Sequence, residues 1–157
     1  MLGGLLMIRV GIVRSIDEIR AVARVEFPDT SVVSAEYQIL VRGSLKNKDY
    51  WLPSIEEEVL CVLTEQKQGF IIGALYSDGD TPPVQSRTKR HMKFEDGTTL
   101  DYDTSNSTLT IQAVGPINIK ASGDINVQGD VVADGISLKY HTHDETSTVT
   151  SKPNGGG

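Results

Sequence analysis

The amino-acid sequence predicts an all-β protein in two parts, an N-terminal OB-type barrel and a repetitive, β-structured shaft after it. Three observations lead to this. Short apolar segments rich in β-branched residues follow one another through residues 7–80, with turn residues between them. No long segment keeps an apolar stripe at the 3.6-residue period of a helix. From Thr108 onward an eight-residue pattern repeats three times.

The barrel segments are 8–16, 21–27, 37–41, 59–63 and 70–76. In the second, Ala23, Val25 and Phe27 alternate with Val22, Arg24 and Glu26, which places two sets of side chains on opposite faces of a strand. Pro28-Asp29, Arg42-Gly43-Ser44, Lys46-Asn47, Gln68-Gly69 and Asp78-Gly79 punctuate the run. Five strands in about 70 residues fit a small OB-like barrel best, so residues 1–80 are assigned to that domain. Cys61, the single cysteine, lies in an apolar run and reads as a small buried hydrophobe. Trp51, beside Leu52-Pro53, reads as core or interface. Met1 to Met7 lacks a charged leader and is not read as a signal peptide.

Residues 81–93 read as a linker. Pro82-Pro83 stops a strand, since neither can donate a ladder hydrogen bond. Arg87, Lys89, Arg90 and Lys93 make a short basic run without interleaved aromatics, and His91 within it reads as a solvated side chain.

Residues 94–140 form the shaft. In the octads 108–115, 116–123 and 124–131, Leu109, Ile117 and Ile125 align, as do Ile111, Ile119 and Val127. Ala113, Ala121 and Gly129 also fall in register. Each octad thus carries two apolar side chains two positions apart, on one strand face, with polar residues such as Thr110, Asn118 and Asn126 between them. Full burial of one aliphatic side chain stabilises by roughly 1.5–3 kcal/mol, so six left in water forfeit much of the driving force. A solenoid within one chain would have only about three rungs and be marginal. Three intertwined chains give a closed prism with a dry core, and this homotrimer is the favoured reading. A small antiparallel sheet extending the barrel is the alternative.

The repeat fades at 136–138, and Tyr140-His141-Thr142-His143 follows. In an extended segment His141 and His143 point to the same side. Two imidazoles do not complete a structural metal site, but three symmetry-related pairs supply six nitrogens. That number suits iron or nickel better than zinc, which usually stops at four ligands. Residues 141–157 are therefore assigned to a metal-binding apex and C-terminal loops, with Val149 the one large apolar residue after the histidines that could anchor them.

Composition narrows the function. Over 157 residues the net charge is −6, against a general nucleic-acid binder. Residues 7–80 carry 8 basic and 12 acidic side chains, so an oligonucleotide- or carbohydrate-binding barrel is the runner-up reading. A hydrolase using His141, His143 and Asp144 or Glu145 would need an open metal position and a pocket, and a chain end of Thr, Ser and Gly offers no evident pocket. No apolar run is long enough to span a membrane.

Taken in order, the motifs resemble the phage baseplate assembly protein V, or central spike, family of contractile injection systems. The resemblance rests on Arg9-Val10-Gly11-Ile12-Val13, Ala23-Arg24-Val25-Glu26-Phe27, Tyr50-Trp51-Leu52-Pro53 and Glu57-Glu58-Val59-Leu60. It continues through Gly69-Phe70-Ile71-Ile72-Gly73-Ala74-Leu75-Tyr76-Ser77, Asp96-Gly97-Thr98, the octads and His141-Thr142-His143. It implies an OB-fold collar on the tail tube and baseplate hub, a trimeric β-helix, and an apex whose histidines bind iron, one ion per trimer. It further implies a virion tail component, in a phage or tailocin, that pierces the bacterial outer membrane without enzymatic activity, nucleic acid or small-molecule substrate. This chain departs from larger members in having no room for a lysozyme insert or a fused effector domain.

Overall fold

The computed structural model describes residues 6–66 and 68–143, all of whose regular elements are β-strands. The C-terminal loops, Val149 and the acidic pair Asp144-Glu145 lie outside the described residues. The chain forms two units, one of residues up to Lys93 with Thr99–Ile111, the other of Phe94–Thr98 with residues from Gln112 onward.

The first unit opens with β1 (Met7–Asp17), β2 (Val22–Phe27), β3 (Val32–Val33), β4 (Tyr37–Ile39), β5 (Glu58–Leu63) and β6 (Gly69–Ala74). Antiparallel pairs β1–β2, β2–β4, β5–β6 and β1–β5, with one parallel pair β4–β6, join five of these into a closed ring. One long strand serves two neighbours. The stretch of β1 from Met7 to Ile12 pairs with β5, the stretch from Ile12 to Asp17 pairs with β2, and the register shifts between Val13 and Ser15. Such an irregularity adds bend and twist where the barrel must close. The two-residue β3 extends β2 at Glu26 and Phe27.

Five of the six barrel strands match the five apolar segments. Their inward side chains, Val13, Ala23, Val25, Phe27, Tyr37, Val59, Cys61 and Ile71, form the core, none more than 4% exposed. Gly69 is required by that packing: a Cβ there would lie 2.3 Å from the Tyr37 ring. Cys61 is buried as expected, and burial pushes its thiol up to about 11, where it stays protonated and inert at neutral pH. Ser34 is polar yet buried, and it replaces missing ladder partners. Its Oγ accepts from the Val25 amide at 2.9 Å and donates to the Ala35 carbonyl at 2.7 Å. Trp51 is not core, since half of its surface is exposed.

The hinge is shorter than its composition suggests, because Lys89–Lys93 forms a strand, β7. It pairs antiparallel with β8 (Thr99–Asp103), and β9 (Thr108–Gln112) completes a three-stranded sheet. The strand is hidden in the sequence because Lys89, Arg90, His91 and Lys93 carry no apolar alternation. Asp101 of β8 accepts from Lys89 Nζ at 3.0 Å and meets His91 Nδ1 at 2.8 Å. His91 is therefore not a solvated side chain; it is 12% exposed and paired. In the second unit, β10 (Val132–Ala133) and β11 (Ile136–Ser137) form a hairpin. Asp134 and Gly135 turn it with φ of 49° and 82°, the positive pair a type I′ turn demands.

Candidate functional site

Two features stand out as unfinished in the single chain. The first is the apolar repeat. Leu109, Ile111, Ile117, Ile119, Ile125 and Val127 are between 53% and 72% exposed, although a soluble strand would bury such residues. Val114, Val131, Val132, Ile136 and Leu138 are exposed as well, so the unburied set is wider than the octad register suggested. Leu109 and Ile111 sit on β9. From 115 to 130 no strand forms, and no backbone–backbone hydrogen bond joins these residues to another described residue. Backbone amides and carbonyls need partners once they leave water. Among the described residues, this segment matches neither its backbone groups in a ladder nor its apolar side chains in a core.

The second feature is the histidine pair. The His141 and His143 rings lie edge to face with centroids 5.1 Å apart. A tight turn over 137–140 holds the first of them. Asp130 accepts from Ser137 Oγ at 2.6 Å and from the Lys139 amide at 3.1 Å. Ser137 Oγ also accepts from the Tyr140 amide at 2.8 Å. The Ser137 carbonyl then takes the His141 amide at 3.1 Å and His141 Nδ1 at 2.9 Å, with the Leu138 carbonyl at 3.1 Å from the same nitrogen. Carbonyls only accept, so Nδ1 carries a proton, and in the neutral ring the lone pair sits on Nε2. The hydrogen bond from Ser137 Oγ, with those from the Lys139 and Val131 amides, holds the Asp130 carboxyl below the usual carboxylate range. The sequence reading singles out neither Asp130 nor Ser137. The available signal was an acidic residue where the octads end, seven positions before a serine.

Among the described residues no group of three or more His, Cys, Asp or Glu side chains could hold a metal ion. Among the described residues the histidine pair therefore brings two nitrogen donors, fewer than a metal site takes.

No family model matches this chain. Over 129 residues it is 28% identical to the spike protein of Escherichia phage P2, an alignment covering 80% of this chain. The chain spans about 60% of that relative's length. The resemblance to phage central spikes drawn from the motifs is thus matched by a curated relative of that kind.

Proposed function

We propose that three copies of this chain assemble into the central spike of a contractile tail, part of the virion baseplate of a phage or of a tailocin. The observation that carries this reading is the repeat: six large aliphatic side chains are more than half exposed, and four of them, Ile117, Ile119, Ile125 and Val127, lie on a stretch that forms no strand among the described residues. The similarity to a phage spike protein supports it.

In this reading the closed barrel, with its parallel β4–β6 pair, is the OB-type collar that meets the tail tube and baseplate hub. The octads of three chains close into a β-helix. Its core is dry and no strand edge is left to slip, so the shaft resists compression as it is driven into the outer membrane. The work is mechanical and calls for no enzymatic step, nucleic acid or small-molecule substrate.

His141 and His143 fit a metal centre by donor chemistry. Their rings are close enough to converge, and the carbonyl contact of Nδ1 leaves Nε2 to ligate. Three pairs would supply six imidazole nitrogens to one ion on the threefold axis, for which iron is the reading adopted. When bound, the ion would tie three chain ends together. The runner-up, an oligonucleotide or carbohydrate module, draws on the exposed Tyr50, Trp51 and Tyr76, and it predicts retention of single strands on a filter at low salt.

The deciding experiment is metal analysis by mass spectrometry on purified protein, with native mass measured in parallel. The expected result is a trimer holding about one iron per three chains, the stoichiometry of a six-nitrogen shell. A metal-free trimer would leave the spike and remove the histidine site. A metal-free monomer would overturn the assembly. Replacing His141 and His143 with Ala is expected to abolish bound metal while the barrel stays folded.

A further inference from the structure

We propose that Asp130 is a positioning residue for His141, acting through Ser137 to fix which imidazole nitrogen faces the apex. The proposal rests on the metal reading above and adds to it a residue outside the His-x-His motif.

The geometry is a relay in which one serine is held at both ends. At its hydroxyl end, Ser137 donates to the Asp130 carboxylate at 2.6 Å and accepts from the Tyr140 amide at 2.8 Å. At its carbonyl end it receives the backbone and the ring of His141. Asp130 spends its second oxygen on the Lys139 amide, clamping the far side of the same turn. The Leu138 amide closes onto the Val131 carbonyl at 2.8 Å, so the residue after Asp130 is tied to the residue after Ser137. The Asp134-Gly135 turn brings the two stretches together.

A hydrogen bond to a carboxylate is roughly twice as strong as one between neutral groups. Removing Asp130 therefore frees the Ser137 hydroxyl to rotate and strands the Lys139 amide. The turn then loosens, and the Ser137 carbonyl no longer stands where His141 Nδ1 must donate. A ring that can flip or change tautomer offers Nε2 only part of the time. Loss of such outer partners typically costs a ligand set 10–100-fold in metal affinity.

The test uses the full chain as wild type, Asp130→Ala, Asp130→Asn and Ser137→Ala. Nickel(II) affinity is read by competition with a chromophoric chelator, with native mass on the same samples. Metal-free protein carrying 15N-labelled histidine reports the tautomer by NMR. Asp130→Ala is expected to bind nickel about 10–100-fold more weakly as an intact trimer. It should also lose the single Nδ1–H signature of His141. Asp130→Asn, which keeps an acceptor oxygen, should fall between, because rescue by an acceptor separates positioning from bulk. Should Asp130→Ala fail to assemble, Ser137→Ala decides, since it removes the relay hydroxyl and keeps the carbonyl. Wild-type affinity and tautomer in the assembled variants would overturn the proposal while leaving the metal site standing. A wild-type trimer that takes up no ion would overturn the metal reading itself.

Discussion

The barrel and the octads use the same residue types to opposite effect. In the barrel, Val13, Val25, Val59 and Cys61 are fully buried, and each strand finds its neighbours within one chain. In the octads, Ile117, Ile119, Ile125 and Val127 are all more than half exposed. A strand that alternates and meets turns at the right intervals can close on itself. Beyond β9, which pairs with β8, the octads form no strand among the described residues, and in the proposed assembly copies of the same repeat are their complement. The difference teaches where each part's stability resides: in the barrel within the chain, and in the repeat, under the proposed assembly, between chains.

The sharpest way to break this comparison is a charge in the repeat. Ile119→Asp would place an unpaired carboxylate from each of three chains in the proposed dry core. An uncompensated buried charge costs about 3–5 kcal/mol, incurred once per chain. The expected outcome is a monomer by native mass whose barrel still melts cooperatively. A trimer of undiminished thermal stability would mean that the exposed aliphatics are not the interface.

The reciprocal change sits in the barrel. Ile71→Ala empties a 2%-exposed position and is expected to cost about 2–5 kcal/mol of barrel stability, read by denaturant unfolding. The trimer mass should persist. Gly69→Ala presses a methyl into the Tyr37 ring and should cost about 1–3 kcal/mol by overpacking. If either barrel variant dissociated the chains while Ile119→Asp did not, the division of labour would be reversed.

These contrasts also explain what could be read from the sequence. The barrel strands were legible because inward and outward residues alternate, as in Ala23, Val25 and Phe27, and turns bound them. β3 was not, since two exposed valines carry no period. β7 was missed because Lys89, Arg90 and Lys93 look like a solvated linker until Asp101 is brought opposite by β8. The octads were legible as a repeat. Their pairing was not: β9 joins β8, a strand without the octad pattern, and residues 115–130 form no strand among the described residues. His141 and His143 announced themselves by spacing. Asp130 and Ser137 did not, since their relation depends on a hairpin whose strands are only two residues each.

The smallest expected effect concerns the charge pairing that replaces apolar packing in β7 and β8. The His91 hydrogen bond, followed by that from Lys89, holds the Asp101 carboxyl below the usual carboxylate range. Its folded value is therefore lower than its unfolded value near 4, about that of a free aspartate. Its contribution is complete above the unfolded value and disappears as the pH falls through the folded one. Asp101→Asn removes the titrating group. The wild-type and variant stability curves, from thermal melts across acid to neutral pH, should converge at the acid end. They should separate as the pH rises from the folded value to about 4, with wild type the more stable, and the gap should stay constant above that. Partial exposure of Lys89 leaves the pairing open to screening, so the gap should narrow in high salt. Two curves parallel from acid to neutral pH would show that β7 is held by its backbone ladder alone, and that its charged face is incidental.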